Sequence, residues 1–370
     1  MWCEPIEDNP KRSAHGCGPV LCGCTSRRSL LKSLGAIGAG AAIPAPSVWA
    51  QGDGARPGKP HRIDVHHHFY PPWLQEAWRT ANVRNAPVVQ RWKQETGLEQ
   101  MDRGGVATAI LSLPTGLNLP RLSTEEAQRY TREVNEYALK LKSDHPGRYG
   151  LFAFMPMPNV DATLKELEYA LDTMKADGIG LNTSYGEKWL GDPAFKPVME
   201  ELNRRKAIVY VHPLGPDCCN TLMSYVPASF TEYPQDTNRT VMSLLFSGTF
   251  TKTRDVRWIF SHAGAAVPLL AGRVNSLSKI QLRNTAEILP DGIDFELKRL
   301  HFETANAAYV PNMTALLKFV PSSQVMFGSD YPYVSVTENV EDLLKAGLSA
   351  GDLKAIEYET AMRLMPRLKA

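Results

Sequence analysis

The chain has 370 residues, 43% hydrophobic and 22% charged, the proportions of a soluble globular protein with a sizeable core. Lys and Arg number 41 against 39 Asp and Glu; residues 1–50 hold five of the former and three of the latter, so the rest balances at 36 against 36 and offers no net basic charge to nucleic acid. Four of the six cysteines precede residue 50 and only the adjacent pair Cys218 and Cys219 follows it, which is not the pattern of a disulfide-stapled domain.

The first fifty residues read as an address. Ser26-Arg27-Arg28-Ser29-Leu30-Leu31-Lys32 resembles a twin-arginine export motif. The apolar run behind it, Ser33 to Ile43, is 11 residues long, too short to span a bilayer. Val48 and Ala50 suit the positions before a cleavage site. The expectation is a signal over 1–50 cut after Ala50, a lead-in over 51–60, and one folded unit over 61–370. The mature protein is then periplasmic and free of the membrane.

Beyond residue 61, apolar runs alternate with amphipathic stretches. Eight strands are expected: Arg62–His68, Ala107–Leu113, Gly150–Met155, Ile179–Thr183, Ile208–His212, Arg257–His262, Leu300–Thr304 and Val325–Ser329. Helices are expected over Thr124–Ser143, Ala162–Ala176, Ala194–Arg205, Thr240–Thr251, Val267–Leu282, Asn312–Phe319, Val336–Lys345 and Ala350–Leu364. Ser123 with Glu126 makes a capping box, and Gly178 reads as a helix terminator. Gly215–Asp236 lacks periodicity and reads as a long loop. Runs such as Ala207–Val211 are apolar throughout, as in strands covered on both faces. Eight of them, each followed by a helix, predict an α/β fold, a (β/α)8 TIM barrel. The competitor is an open doubly wound sheet, but no Gly-x-Gly-x-x-Gly turn follows the first strand.

Four strands end in unusual polar residues: Asp64-Val65-His66-His67-His68, Val211-His212-Pro213, Ser261-His262-Ala263-Gly264 and Gly328-Ser329-Asp330-Tyr331-Pro332. In a barrel these ends share the catalytic face. Alternation projects His66 and His68 to one side and His67 to the other. Two imidazoles at that spacing can grip one divalent ion, with His212 a third nitrogen and Asp330 an oxygen. That donor set suits zinc first, and manganese or iron as alternatives.

These motifs, with Met101-Asp102-Arg103-Gly104-Gly105-Val106, Pro268 and Gly272-Arg273, resemble the amidohydrolase superfamily, in the branch around 2-amino-3-carboxymuconate-6-semialdehyde decarboxylase. The resemblance implies His66, His68, His212 and Asp330 as metal ligands, His262 as an acid/base group beside them, and Arg273 as partner to a substrate carboxylate, reaching across a homodimer interface. Residues 69–100 are shorter than in that decarboxylase, which points away from a dicarboxylate and toward a likeness to 6-methylsalicylate and hydroxybenzoate decarboxylases. Trp73, Trp78, Trp92, Phe230 and Tyr233 are the aromatic candidates for the pocket. The reading is a metal-dependent non-oxidative decarboxylase of a small aromatic or unsaturated carboxylic acid, with His262 or Asp330 delivering a proton. The alternative is a hydrolase of a lactone, amide or C–C bond that uses metal-activated water.

Overall fold

The computed structural model describes residues 60–80, 86–114, 122–219, 222–223 and 225–368. The expected export signal, and the lead-in up to residue 59, lie outside the described residues. Eight of the strands among the described residues form the main sheet, in chain order: β1 (Arg62–His68), β2 (Val106–Ser112), β3 (Tyr149–Phe154), β4 (Gly178–Asn182), β5 (Ile208–His212), β6 (Arg257–Phe260), β7 (His301–Glu303) and β8 (Val325–Met326). Each pairs in parallel with the next. The ring closes where Val65 N–H donates to Phe327 O at 3.0 Å and His67 bridges Tyr331. This is the (β/α)8 barrel the apolar runs predict.

Two apolar clusters hold it. Ile63, Ile110, Phe152, Tyr210, Ile259 and Met326 from the strands pack with Leu364, Met365 and Leu368 of the C-terminal segment. The larger cluster lies between strands and helices, where Val209, Trp258 and Phe302 meet residues such as Leu141, Leu202 and Leu316. Every one of these side chains is buried, which is the main term favouring the fold.

Several elements differ from expectation. The helix Ala228–Phe246 begins inside the stretch read as loop and contains Pro234. As far as Thr240 its buried face carries Glu232, Asp236, Thr237, Asn238 and Thr240, so hydrophobic periodicity reveals only the last part, within the helix expected from Thr240. Gly178 terminates no helix: it opens β4, and a Cβ there would lie 2.8 Å from Ile208 O. Helices Pro72–Thr80, Ala86–Arg91 and Gln94–Arg103 fill the β1–β2 connection. Cys218 and Cys219 are bonded to each other and therefore tie no two elements together.

Candidate active site

Strand β1 does not alternate strictly. Ile63 and Val65 share the cluster of Tyr210, and regular alternation would send His67 the same way. Asp64 prevents this. Its Oδ1 accepts the His66 N–H two residues on, at 3.1 Å, and the β1–β2 register shifts between Asp64 and His67. The shift turns His66 and His68 toward His212. It sends His67 outward, where its Nδ1 donates to Asp64 Oδ2 at 3.0 Å and its ring stacks on Tyr331. Ser329 donates both its Oγ–H (2.6 Å) and its N–H (3.0 Å) to Asp64, so the same carboxylate ties β1 to the turn bearing Asp330.

His66, His68, His212 and Asp330 come together from β1, β5 and the turn after β8, each offering one ligand atom within 4.8 Å of the others. His66 Nε2 lies 2.9 Å from His68 Nε2, and Asp330 Oδ1 lies 3.3 Å and 3.1 Å from the two. The His212 ring centroid is 5.3 Å and 5.1 Å from those of His66 and His68. His262 stands alongside, its ring 5.0 Å from that of His66 and 6.2 Å from that of His212. Arg273 is exposed on the helix Val267–Gln281, and none of the cluster's contacts involves it.

The donor chemistry fits a cation. Nδ1 of His66 faces Glu303 Oε1 (2.8 Å), that of His68 faces Ser112 O (3.1 Å), and that of His212 faces Pro213 O (2.9 Å). Carboxylates and carbonyls only accept, so each Nδ1 carries the hydrogen and each Nε2 presents a lone pair inward. Two such lone pairs 2.9 Å apart repel unless a cation or proton lies between them. Burial opposes charge on His66, but Glu303 and Asp330 outweigh it and raise its pKa to about 10. Burial takes His68 down to about 4, with the charge on His66 adding to the drop. Burial, then His68 and His66, holds His212 well below its usual value. Burial would raise Asp330, but the charge on His66 holds it well below the usual carboxylate range. The centre therefore favours positive charge between its carboxylates and histidines.

Left-handed backbone concentrates here: Asp330 has φ 60°, His262 53° and Asn306 52°. Non-glycine residues adopt this region at a cost, and it recurs where function over-determines geometry. Gly264 shares the His262 turn, and a Cβ there would collide at 2.5 Å with the Phe302 ring.

The aromatic residues expected at the pocket have different settings. Trp78 and Trp92 are buried in the core, Trp73 stacks on Tyr130, and Phe230 is 74% exposed. Tyr233 does approach, 6.5 Å from the His212 ring. Sequence reasoning missed Tyr70 and Tyr333, whose hydroxyls meet at 2.8 Å, with Tyr333 5.8 Å from the His68 ring. It also missed Glu303 and Asn306, the latter donating Nδ2–H to Asp330 Oδ2 at 2.6 Å. Glu303 had a signal: a carboxylate inside a strand read as buried on both faces must find partners.

A parallel (β/α)8 barrel that gathers three imidazoles and a carboxylate at the carboxyl ends of its strands is the arrangement of a barrel enzyme with a candidate metal centre. The amidohydrolase family matches residues 63–367, and the chain belongs to it. The decarboxylase yanB of Aspergillus niger is 37% identical over 326 residues, 83% of this chain and 88% of that one. The 6-methylsalicylic acid decarboxylase acuB of Aspergillus aculeatus is 33% identical over 320 residues, 83% of this chain and 97% of its own. A solved dihydroxybenzoic acid decarboxylase from a Polaromonas species, holding manganese and an inhibitor, superposes with a TM-score of 0.74 at 18% identity, covering 84% of this chain and 98% of that one.

Proposed function

We propose that this chain is a metal-dependent non-oxidative decarboxylase of a small aromatic acid of the 6-methylsalicylate or hydroxybenzoate type. The observation that carries the reading is the likeness to decarboxylases at 33–37% identity over 83% of the chain. His66, His68, His212 and Asp330 would hold a divalent ion, which when bound supplies Lewis-acid polarisation of substrate oxygens. Three nitrogens and one carboxylate suit zinc; manganese, present in the Polaromonas relative, and iron are the alternatives.

His262 is proposed as the proton carrier. Its Nδ1 donates to Ala305 O at 2.8 Å, which fixes the ring and leaves Nε2 for the reaction. A proton placed on the ring carbon that bears the carboxylate creates a tetrahedral centre. Breaking the bond to the carboxylate then returns the electron pair to the ring and releases carbon dioxide. Asp330 is the second candidate donor. Arg273 is proposed to pair with a carboxylate, as a guanidinium fork does, from across a homodimer interface. Its exposure, beside Leu269 at 70% and Ile280 at 78% on the same helix, supports that placement. Light scattering tests the dimer, and R273A separates the residue's effect on KM from its effect on kcat.

The deciding experiment loads the purified protein with zinc or manganese and offers a panel of hydroxybenzoates, 6-methylsalicylate included. Carbon dioxide from at least one is expected; none from any would overturn the reading. In oxygen-18 water, a hydrolase would instead place label in product. Export through the twin-arginine sequence remains part of the proposal. Among the described residues no helix is long and apolar enough to cross a membrane. The amino-terminal sequence of the protein recovered from a periplasmic fraction tests cleavage after Ala50.

A further inference from the structure

Strand β7 supplies none of the four proposed ligands, yet the residues at its carboxyl end touch His66, His262 and Asp330. Glu303 is fully buried. Its Oε1 accepts from His66 Nδ1 at 2.8 Å and from the His262 backbone N–H at 2.7 Å, and its Oε2 accepts from Ala305 N–H at 2.6 Å. Ala305 O in turn takes the Nδ1–H of His262 at 2.8 Å. Asn306 donates Nδ2–H to Asp330 Oδ2 at 2.6 Å, while its own N–H is held by Asn339 Oδ1 at 3.0 Å. Gly328 packs so close that a Cβ would overlap the Glu303 carboxylate and come within 2.9 Å of His66 Cβ.

We propose that the segment Glu303–Asn306 is the positioning frame of the metal centre. Glu303 keeps His66 in the Nδ1–H form with Nε2 aimed at the ion and anchors the His262 turn. Asn306 holds Asp330 so that Oδ1, and not Oδ2, faces the histidines. The inference rests on the metal-site reading given above.

The competing use of these groups is a second cation among His66, His262 and Glu303, whose polar atoms also lie within 4.8 Å of one another. The hydrogen bonds argue against it. Three N–H donors already occupy both oxygens of Glu303, and Nδ1 of each histidine is committed. Three donors converging on two oxygens also require a carboxylate. An amide at 303 would set N–H against N–H whichever way it is turned. Outer partners of this kind fix ring orientation and ligand basicity, and their loss typically weakens metal binding by about 10–100-fold.

The test uses the full chain, stripped of metal and titrated with Zn2+ or Mn2+ against a chelating dye, together with the visible spectrum of the Co2+-loaded protein. E303Q is expected to bind about 10–100-fold more weakly and to alter the Co2+ spectrum. N306G retains the left-handed backbone and the bond to Asn339, and it is expected to weaken binding by about 10-fold or more. Binding by both variants within about twofold of the unsubstituted chain, with an unchanged spectrum, overturns the inference alone. Should E303Q fail to fold, N306G decides by the same criterion. Failure of the unsubstituted chain to bind metal overturns the metal reading and this inference with it.

Discussion

Each imidazole of the centre commits Nδ1 to an oxygen acceptor, and this fixes what its other nitrogen can do. His262 shares the geometry of the other three, but it lies outside the four-ligand group of His66, His68, His212 and Asp330. H262N is therefore expected to keep full metal content while kcat falls about 10²–10⁴-fold, the usual contribution of a positioned proton carrier. Metal analysis beside kinetics checks this, and a parallel loss of metal would make His262 a ligand instead. Gly328 permits a second test at this scale. G328A forces a methyl into Glu303 and His66, and overpacking of this kind costs about 1–3 kcal/mol. A thermal melt unchanged from that of the parent chain would show that the turn gives way freely. At the scale of single residues, the histidines were legible because imidazoles at strand ends stand out from apolar runs. Glu303 and Asn306 were obscure because an acid in a short strand and an amide after it have many ordinary uses, and only coordinates show which donor they meet.

Elements were legible where one face is apolar and obscure where the buried face is polar. The capping box of Ser123 and Glu126 forms as its spacing predicts, and the strand over Ile208–His212 has the expected bounds. The first part of the helix Ala228–Phe246, before Thr240, was hidden because Asp236, fully buried on it, faces polar partners. It accepts from the Thr183 and Ser184 hydroxyls and from Trp189 Nε1–H at 2.6 Å. Thr183 also accepts the Leu214 N–H, and its own N–H donates to His212 O, so the residue that the carboxylate holds grips the chain on both sides of Pro213, directly after His212. D236A leaves two buried hydroxyls and the half-buried Trp189 N–H without their acceptor and is expected to destabilise by about 2–5 kcal/mol. Urea unfolding measures the loss, and a cost below about 0.5 kcal/mol would mean that water replaces the carboxylate without penalty.

Across the whole molecule, parallel pairing brings residues as distant in sequence as His66 and Asp330 into one cluster, and the same burial that shapes the site sets the acid limit of the fold. His301, at the start of β7, is lowered to about 4, first by burial and then by Arg363, with the Trp258 backbone opposing. A histidine whose folded pKa is depressed is neutral in the native state while the unfolded chain takes up the proton. Its stability contribution is therefore intact above the unfolded value of 6.5 and is lost as pH falls from there to about 4. In the metal-free chain His68 and His212 slope the same way. His66 slopes oppositely in the metal-free chain, its contribution being full below 6.5 and lost as pH rises through about 10. A single stability curve mixes these terms, and the difference between two curves isolates one. Unfolding of the parent chain and of H301Q, each followed from pH 7.5 to 4 at fixed ionic strength, should give curves that run parallel above pH 6.5. Below it they should converge or cross, because the variant lacks the proton-binding term. Curves that stay parallel to pH 4 would mean that His301 takes up its proton equally in the folded and unfolded chains, and that the ring is less shielded by β7 than its packing implies.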